Sequence, residues 1–244
     1  MSTAAATKAP VSALPEGADR LIARCGLALA AADKVLGSAR AGARKKVEDV
    51  GLDGAQHTAH GLAWLATTVE GLRQMLHWAE ALKTENRLGE IEPLLLAAAF
   101  SEYCAQIVGG IPMSQCEIIR VADLGVRRDE IRHFEDQVTE LIALGGTDAL
   151  KARIAELIAE HPGATTYGDS GLDETHAAIH EQMRRFSEAE VVPHAHEWHL
   201  KNDYIPMEII EKVAELGVFG LTLPEEYGGM ALGKESMCIV SEEL

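Results

Sequence analysis

One stripe of side chains narrows the possible folds more than any other part of the sequence: Leu62, Leu65, Val69, Leu72 and Leu76 follow one another at intervals of 3-4-3-4. An α-helix turns through roughly 100° per residue, so the five share one face of a helix of about 25 residues. Five large aliphatic side chains on one face lose too much by facing water, so this helix has to pack against others. The stripe spans only two or three heptads and lacks alternating flanking charges, so it reads as bundle core in preference to a coiled-coil seam.

The neighbouring segments repeat the theme. Gly17 to Leu36 carries Leu21, Ile22, Cys25, Leu29 and Leu36 at helical spacing, and Gly37 is expected to end that helix. The basic run Arg40 to Lys46 is then expected to be a solvated turn that offsets nearby acid, with attraction of an anionic phosphate the less favoured reading. Gly89 to Val108 is rich in Leu, Ala and Ser and stops at Gly109-Gly110-Ile111-Pro112. Glu130 to Leu144 places Ile131, Phe134, Val138, Leu141 and Ile142 on one side and stops at Gly145-Gly146. Thr147 and Asp148 suit the start of the next helix, which carries Leu150, Ile154, Leu157 and Ile158.

His161 to Leu172 has no apolar period and is dense in Gly, Thr and Pro, so a boundary is expected there. The expected organisation is a disordered lead over 1–15, a helical bundle over 16–160, a linker over 161–172 and a second helical unit over 173–244. In that unit Asp173 caps a helix through Ile179, Met183 and Phe186, and Pro193 is placed to kink it. Pro206 opens a helix buried on Ile209, Val213 and Leu216, with Gly217 at its C-terminal end. Val218 to Leu223 reads as a short extended stretch before the turn Pro224 to Gly229. The last segment, Lys234 to Leu244, carries Met237, Val240 and Leu244 and meets no stop signal, as expected of a piece of a longer polypeptide. The fold class is all-α.

Charge and composition exclude several functions. A formal net charge of −16 over 244 residues repels phosphate backbones and anionic lipid, so neither nucleic acid nor a membrane is an expected partner. Cys25, Cys104, Cys116 and Cys238 lie far apart with no CxxC pair, which argues against a disulfide framework and for a reducing, cytoplasmic setting. No uninterrupted apolar run reaches the length of a bilayer crossing, and no phosphate-binding glycine loop occurs. His176 and His180 share a helix face but lack the Glu of a zinc-protease motif; with His194, His196 and His199 they are expected to be solvated or capping, with no metal. A di-iron bundle needs two Glu-x-x-His motifs, and Glu130 to His133 supplies one, so Glu130 is expected to be a surface charge.

Three consecutive stretches carry a resemblance. Ile179 to Trp198 (IHEQMRRFSEAEVVPHAHEW), Pro206 to Leu223 (PMEIIEKVAELGVFGLTL) and Pro224 to Gly229 (PEEYGG) resemble, in order and spacing, the opening helical segment of acyl-CoA dehydrogenases. A long helical extension ahead of that segment is similar to one branch of the family. Within it, Ala105 to Arg120 looks like the segment that closes the family's helical C-terminal domain.

The resemblance implies an FAD enzyme that removes the α-proton of an acyl-CoA thioester with a glutamate while the β-hydride passes to the flavin. An electron-transferring flavoprotein then reoxidises the cofactor. It further implies a homodimer or other homo-oligomer, a short branched acyl-CoA such as methylsuccinyl-CoA as substrate, and polypeptide beyond Leu244 that holds flavin and base. No catalytic residue is therefore expected in this chain. The loop Leu223, Pro224, Glu225, Tyr227, Gly228 and Gly229 is expected to lie nearest the acyl group or flavin, since paired glycines permit close backbone approach. The other class of function the residues allow is a non-catalytic helical module for protein association.

Overall fold

The computed structural model describes residues 14, 16–164 and 166–244. The lead expected to be disordered, 1–15, lies outside them apart from Leu14. Two compact units divide between Gly171 and Leu172.

The first unit is a bundle of α1 (Gly17–Gly54), α2 (Gln56–Thr84), α3 (Ile91–Gly109), α4 (Arg128–Gly145) and α5 (Asp148–Ala159). The α2 stripe is core, with Leu65, Val69 and Leu72 fully buried and Leu62 partly so. It meets Leu21, Cys25 and Leu29 of α1 and Leu96, Phe100 and Cys104 of α3 in one cluster that also takes Phe134, Val138 and Leu141 from α4. Removing a Leu or Phe side chain of that kind from water contributes about 1.5–3 kcal/mol, and this shared interior holds the helices together. By length and composition α3 is apolar enough to cross a membrane, but half of it is buried inside this bundle.

Gly37 does not end the first helix. Its own conformation is helical, and the apolar face continues past it through Ala39 and Ala43, both buried, so packing outweighs the cost of about 1 kcal/mol that a mid-helix glycine carries. The basic run Arg40 to Lys46 is therefore helical and not a turn. The chain changes direction instead at Gly51, whose φ of 73° only glycine adopts without strain.

After Gly110 (φ 132°) comes an unexpected hairpin, β1 (Ile111–Pro112) paired antiparallel with β2 (Ile118–Ile119), which buries Ile111 and Ile119 against the bundle. A 3₁₀ turn, Val121–Leu124, follows. Glu130 does not sit idle on the surface: it accepts from the Arg127 N–H at 3.0 Å and from the Ser38 hydroxyl at 2.7 Å, closing the N-terminus of α4 onto α1. Those hydrogen bonds, Ser38 first, hold its carboxyl below the usual range. Thr147 caps α5 by accepting from the Leu150 N–H.

The stretch after α5 folds back onto the helices of the first unit around Asp169. Buried Glu92 accepts from the N–H groups of Gly89 and Asp169, each at 2.8 Å. The Trp78 indole donates to the Asp169 carbonyl at 2.8 Å, and the Arg87 guanidinium forks the Asp169 carboxylate.

The second unit comprises α6 (Glu174–Phe186), α7 (Val192–Lys201), α8 (Met207–Glu215) and α9 (Gly233–Glu243). Asp173 caps α6, accepting from the His176 N–H at 2.8 Å. Between α6 and α7 the helix widens into a π turn, Ser187–Val191, and α7 begins over Pro193, which has no N–H to lose there. Met183, Leu221 and Val240 form the centre, flanked by Ile179, Phe186, Leu216, Val218 and Leu232.

Candidate functional site

Two links within the second unit set the frame for the loop between α8 and α9. The His180 imidazole meets the Glu243 carboxylate at 2.9 Å, joining α6 to α9. Lys212 meets Glu190 at 2.7 Å, joining α8 to the π turn. His176 faces its own cap, Asp173, at 3.0 Å, so of the two histidines on that face one serves the cap and the other ties two helices together.

Gly217 leaves α8 with φ 78°, and the chain enters a 3₁₀ turn at Val218–Gly220. The extended stretch expected over Val218 to Leu223 is thus half helical. The turn rotates Leu221 into the core and leaves Phe219 exposed, a division that strict alternation would not produce. Three backbone bonds then tie this stretch to the segment after the loop: Met230 donates to the Gly220 carbonyl at 2.9 Å, Ala231 to that of Leu223 at 2.9 Å, and Leu232 to that of Leu221 at 2.8 Å.

These three bonds bring the ends of the loop together and make Pro224 to Gly229 a closed, protruding turn. Inside it the N–H of Tyr227 donates to the Pro224 carbonyl, that of Gly228 to Glu225, and that of Gly229 again to Pro224. The paired glycines serve different ends. Gly228 supplies the left-handed conformation, φ 79°. Gly229 supplies room, because a Cβ there would lie 2.1 Å from the Leu223 carbonyl oxygen.

The predicted residues Leu223, Pro224, Glu225, Tyr227, Gly228 and Gly229 are consequently held in one rigid turn, with Leu223 and Tyr227 directed to the surface. Two large apolar side chains that the sequence reading passed over, Phe219 and Met230, are exposed beside the turn in the chain. The signal of Phe219 was masked because "VFGLTL" reads as one short extended apolar stretch. The amides of residues 227–229 are spent inside the loop, so the turn offers apolar side chains and two carboxylates, Glu225 and Glu226, to whatever approaches it.

Helix α6 with its π turn, helix α8 started by proline and the closed glycine turn all lie within one stretch that matches a known family. Residues 173–244 match the acyl-CoA dehydrogenase N-terminal domain, and the chain belongs to the acyl-CoA dehydrogenase family. Among curated relatives it is 53% identical, over 199 residues, to the (2S)-methylsuccinyl-CoA dehydrogenase of Cereibacter sphaeroides, which covers 82% of this chain and 36% of that protein. It is 35% identical over 78 residues to the glutaryl-CoA dehydrogenase of Desulfococcus multivorans, 31% of this chain and 20% of that one. Against the mitochondrial isovaleryl-CoA dehydrogenase of Solanum tuberosum the figure is 32% over 75 residues. The chain thus spans about a third or less of the length of these relatives.

Proposed function

We propose that the chain forms the N-terminal helical part of an FAD-dependent dehydrogenase that desaturates methylsuccinyl-CoA to mesaconyl-CoA and passes the electrons to an electron-transferring flavoprotein. The observation that carries this reading is the reach of the 53% identity to (2S)-methylsuccinyl-CoA dehydrogenase. It extends over 199 residues, well past the length of the family domain at 173–244 and so into the N-terminal bundle, whereas the match to glutaryl-CoA dehydrogenase runs over 78. A homo-oligomeric cytoplasmic enzyme is part of the same proposal.

The residues present fit only a limited share of the cofactor. The turn at 223–229 suits a wall against an acyl chain or a flavin ring, since Leu223 and Tyr227 stand out from it. It does not suit the cofactor's diphosphate, because the amides of residues 227–229 are already used and Glu225 and Glu226 place negative charge there. When bound, the flavin supplies the hydride acceptor. The contribution proposed for this chain's own residues is exclusion of water from the thioester, a condition under which a carboxylate base is desolvated and the developing enolate better stabilised. No proton transfer is assigned to any of them.

The test is an assay of the full-length enzyme with methylsuccinyl-CoA beside butyryl-CoA. A preference of at least tenfold in kcat/KM for the branched substrate is expected, and a preference for the straight chain refutes the substrate assignment. A full-length product that purifies without flavin absorbance, and cannot be loaded with FAD, refutes the enzyme reading itself.

A further inference from the structure

Because Arg40 to Lys46 is helical, its charges are sorted around α1 instead of being pooled in a turn. At about 100° per residue, Arg40 and Arg44 stand one turn apart on one face, whereas Lys45 points roughly 100° away from Arg44. Lys45 is taken by Asp49 at 2.8 Å. Arg40 and Arg44 join no ion pair among the described residues, although Glu48 lies one turn beyond Arg44. That order, cation before anion along the helix, is the weaker one for such a pair. Two unpaired like charges at this spacing repel each other, a cost that a bound anion would remove.

The two guanidiniums border a groove of about 630 Å³ between α1 and α2. Its remaining lining is apolar apart from Glu48: Ala43 and Val47 from α1, Ala59 and Leu62 from α2. Two guanidiniums one helical turn apart suit the oxygens of a phosphate group, whose charge of about −2 balances both, better than a single carboxylate would. The apolar wall provides for a flat or aliphatic organic part, and the Glu48 carboxylate can accept a hydrogen bond from a hydroxyl or amino group on it.

We infer that this groove binds a nucleotide: the phosphates lie on Arg40 and Arg44, the base lies against Val47, Ala59 and Leu62, and a sugar hydroxyl donates to Glu48. The inference does not depend on the proposed desaturation. The same chemistry is carried by a free nucleotide and by the nucleotide end of coenzyme A, so the test distinguishes the two.

Isothermal titration of the 244-residue chain with ADP is expected to show one site, and the R40Q/R44Q variant is expected to bind at least tenfold more weakly. Arg132→Gln, which removes another exposed and unpaired cation on α4, should leave ADP binding unchanged. Val47→Glu, which puts a carboxylate on the groove floor while sparing both arginines, is the second probe and should also abolish binding. Competition by coenzyme A would name the coenzyme as the source, and its absence a free nucleotide. The inference is overturned by three results: no heat with ADP, equal loss in Arg132→Gln and R40Q/R44Q, or inorganic pyrophosphate binding as tightly as ADP, since the apolar wall would then contribute nothing.

Discussion

Two glycines of α1, five residues apart, should respond to the same substitution with opposite signs. Both lie in helical backbone, where replacing Gly by Ala is favoured by about 0.5–1 kcal/mol. A Cβ at Gly37 would meet nothing within 4 Å, so Gly37→Ala should realise that gain in full. A Cβ at Gly42 would lie 2.1 Å from the Leu124 carbonyl oxygen and 3.0 Å from the Gly125 Cα. Both are backbone atoms of the turn behind the hairpin and cannot rotate aside, so the turn would have to retreat by roughly 1 Å from a close-packed seat. Overpacking of this kind costs about 1–3 kcal/mol, which leaves Gly42→Ala destabilised by about 2 kcal/mol at the upper end. For a unit of this size 1 kcal/mol moves Tm by about 2–4 °C, so Gly37→Ala should raise it by about 1–4 °C and Gly42→Ala lower it by as much as about 4–8 °C. Tryptophan fluorescence in a Trp198→Phe background reads the first unit alone, because the remaining indoles, Trp64 and Trp78, are both in α2. A fall in Tm with Gly37→Ala would mean that α1 does break there, and a rise with both would mean that the Leu124 turn does not seat on Gly42.

Acid should loosen the fastening at Asp169. Burial raises its pKa, but the Gly171 N–H and the Arg87 fork outweigh it and leave the carboxyl below its ordinary value. A depressed pKa contributes stability that is full above the unfolded value of about 4 and is lost as pH falls through the folded one, so exchange of the Asp169 and Gly171 amides should accelerate in that window. In Asp169→Asn exchange should be fast at neutral pH already, and an unchanged profile would refute the role. Thiol titration should find Cys116 and Cys238 reactive and Cys25 and Cys104 silent until unfolding, because burial pushes Cys104 up to about 12 and Cys25 higher still; four fast thiols would contradict that core. Gly229→Ala should cut kcat/KM of the full-length enzyme by about tenfold or more through displacement of the turn by roughly 1 Å, with Tm of the first unit unchanged. Wild-type kinetics in that variant would remove the turn from the site.

The helices of the first unit were legible because their core is made by their own side chains at their own period, as in Leu65, Val69 and Leu72. What was missed there depended on partners distant in sequence. Gly37 has the local preference of a stop, and only the burial of Ala39 and Ala43 against other helices carries α1 through it. The hairpin rests on a single buried pair, Ile111 and Ile119, and two-residue strands leave no alternation to read. Glu130 looked like a solvated charge because its partner Ser38 is 92 residues away.

The glycine turn shows how far a motif goes before coordinates are needed. "GG" after "EEY" announces a sharp reversal, and it does so for either order of duties. Which glycine bends and which yields space is decided elsewhere in the chain. The carbonyl of Leu223 closes on Gly229 because the Ala231 N–H holds it there, while Gly228, with nothing within 4 Å of its missing Cβ, is constrained by its φ alone. Asn, which tolerates the left-handed region, should therefore be accepted at Gly228 and rejected at Gly229, where any Cβ strikes backbone. The two positions look alike in the sequence, and their different tolerance follows from one hydrogen bond that the sequence does not display.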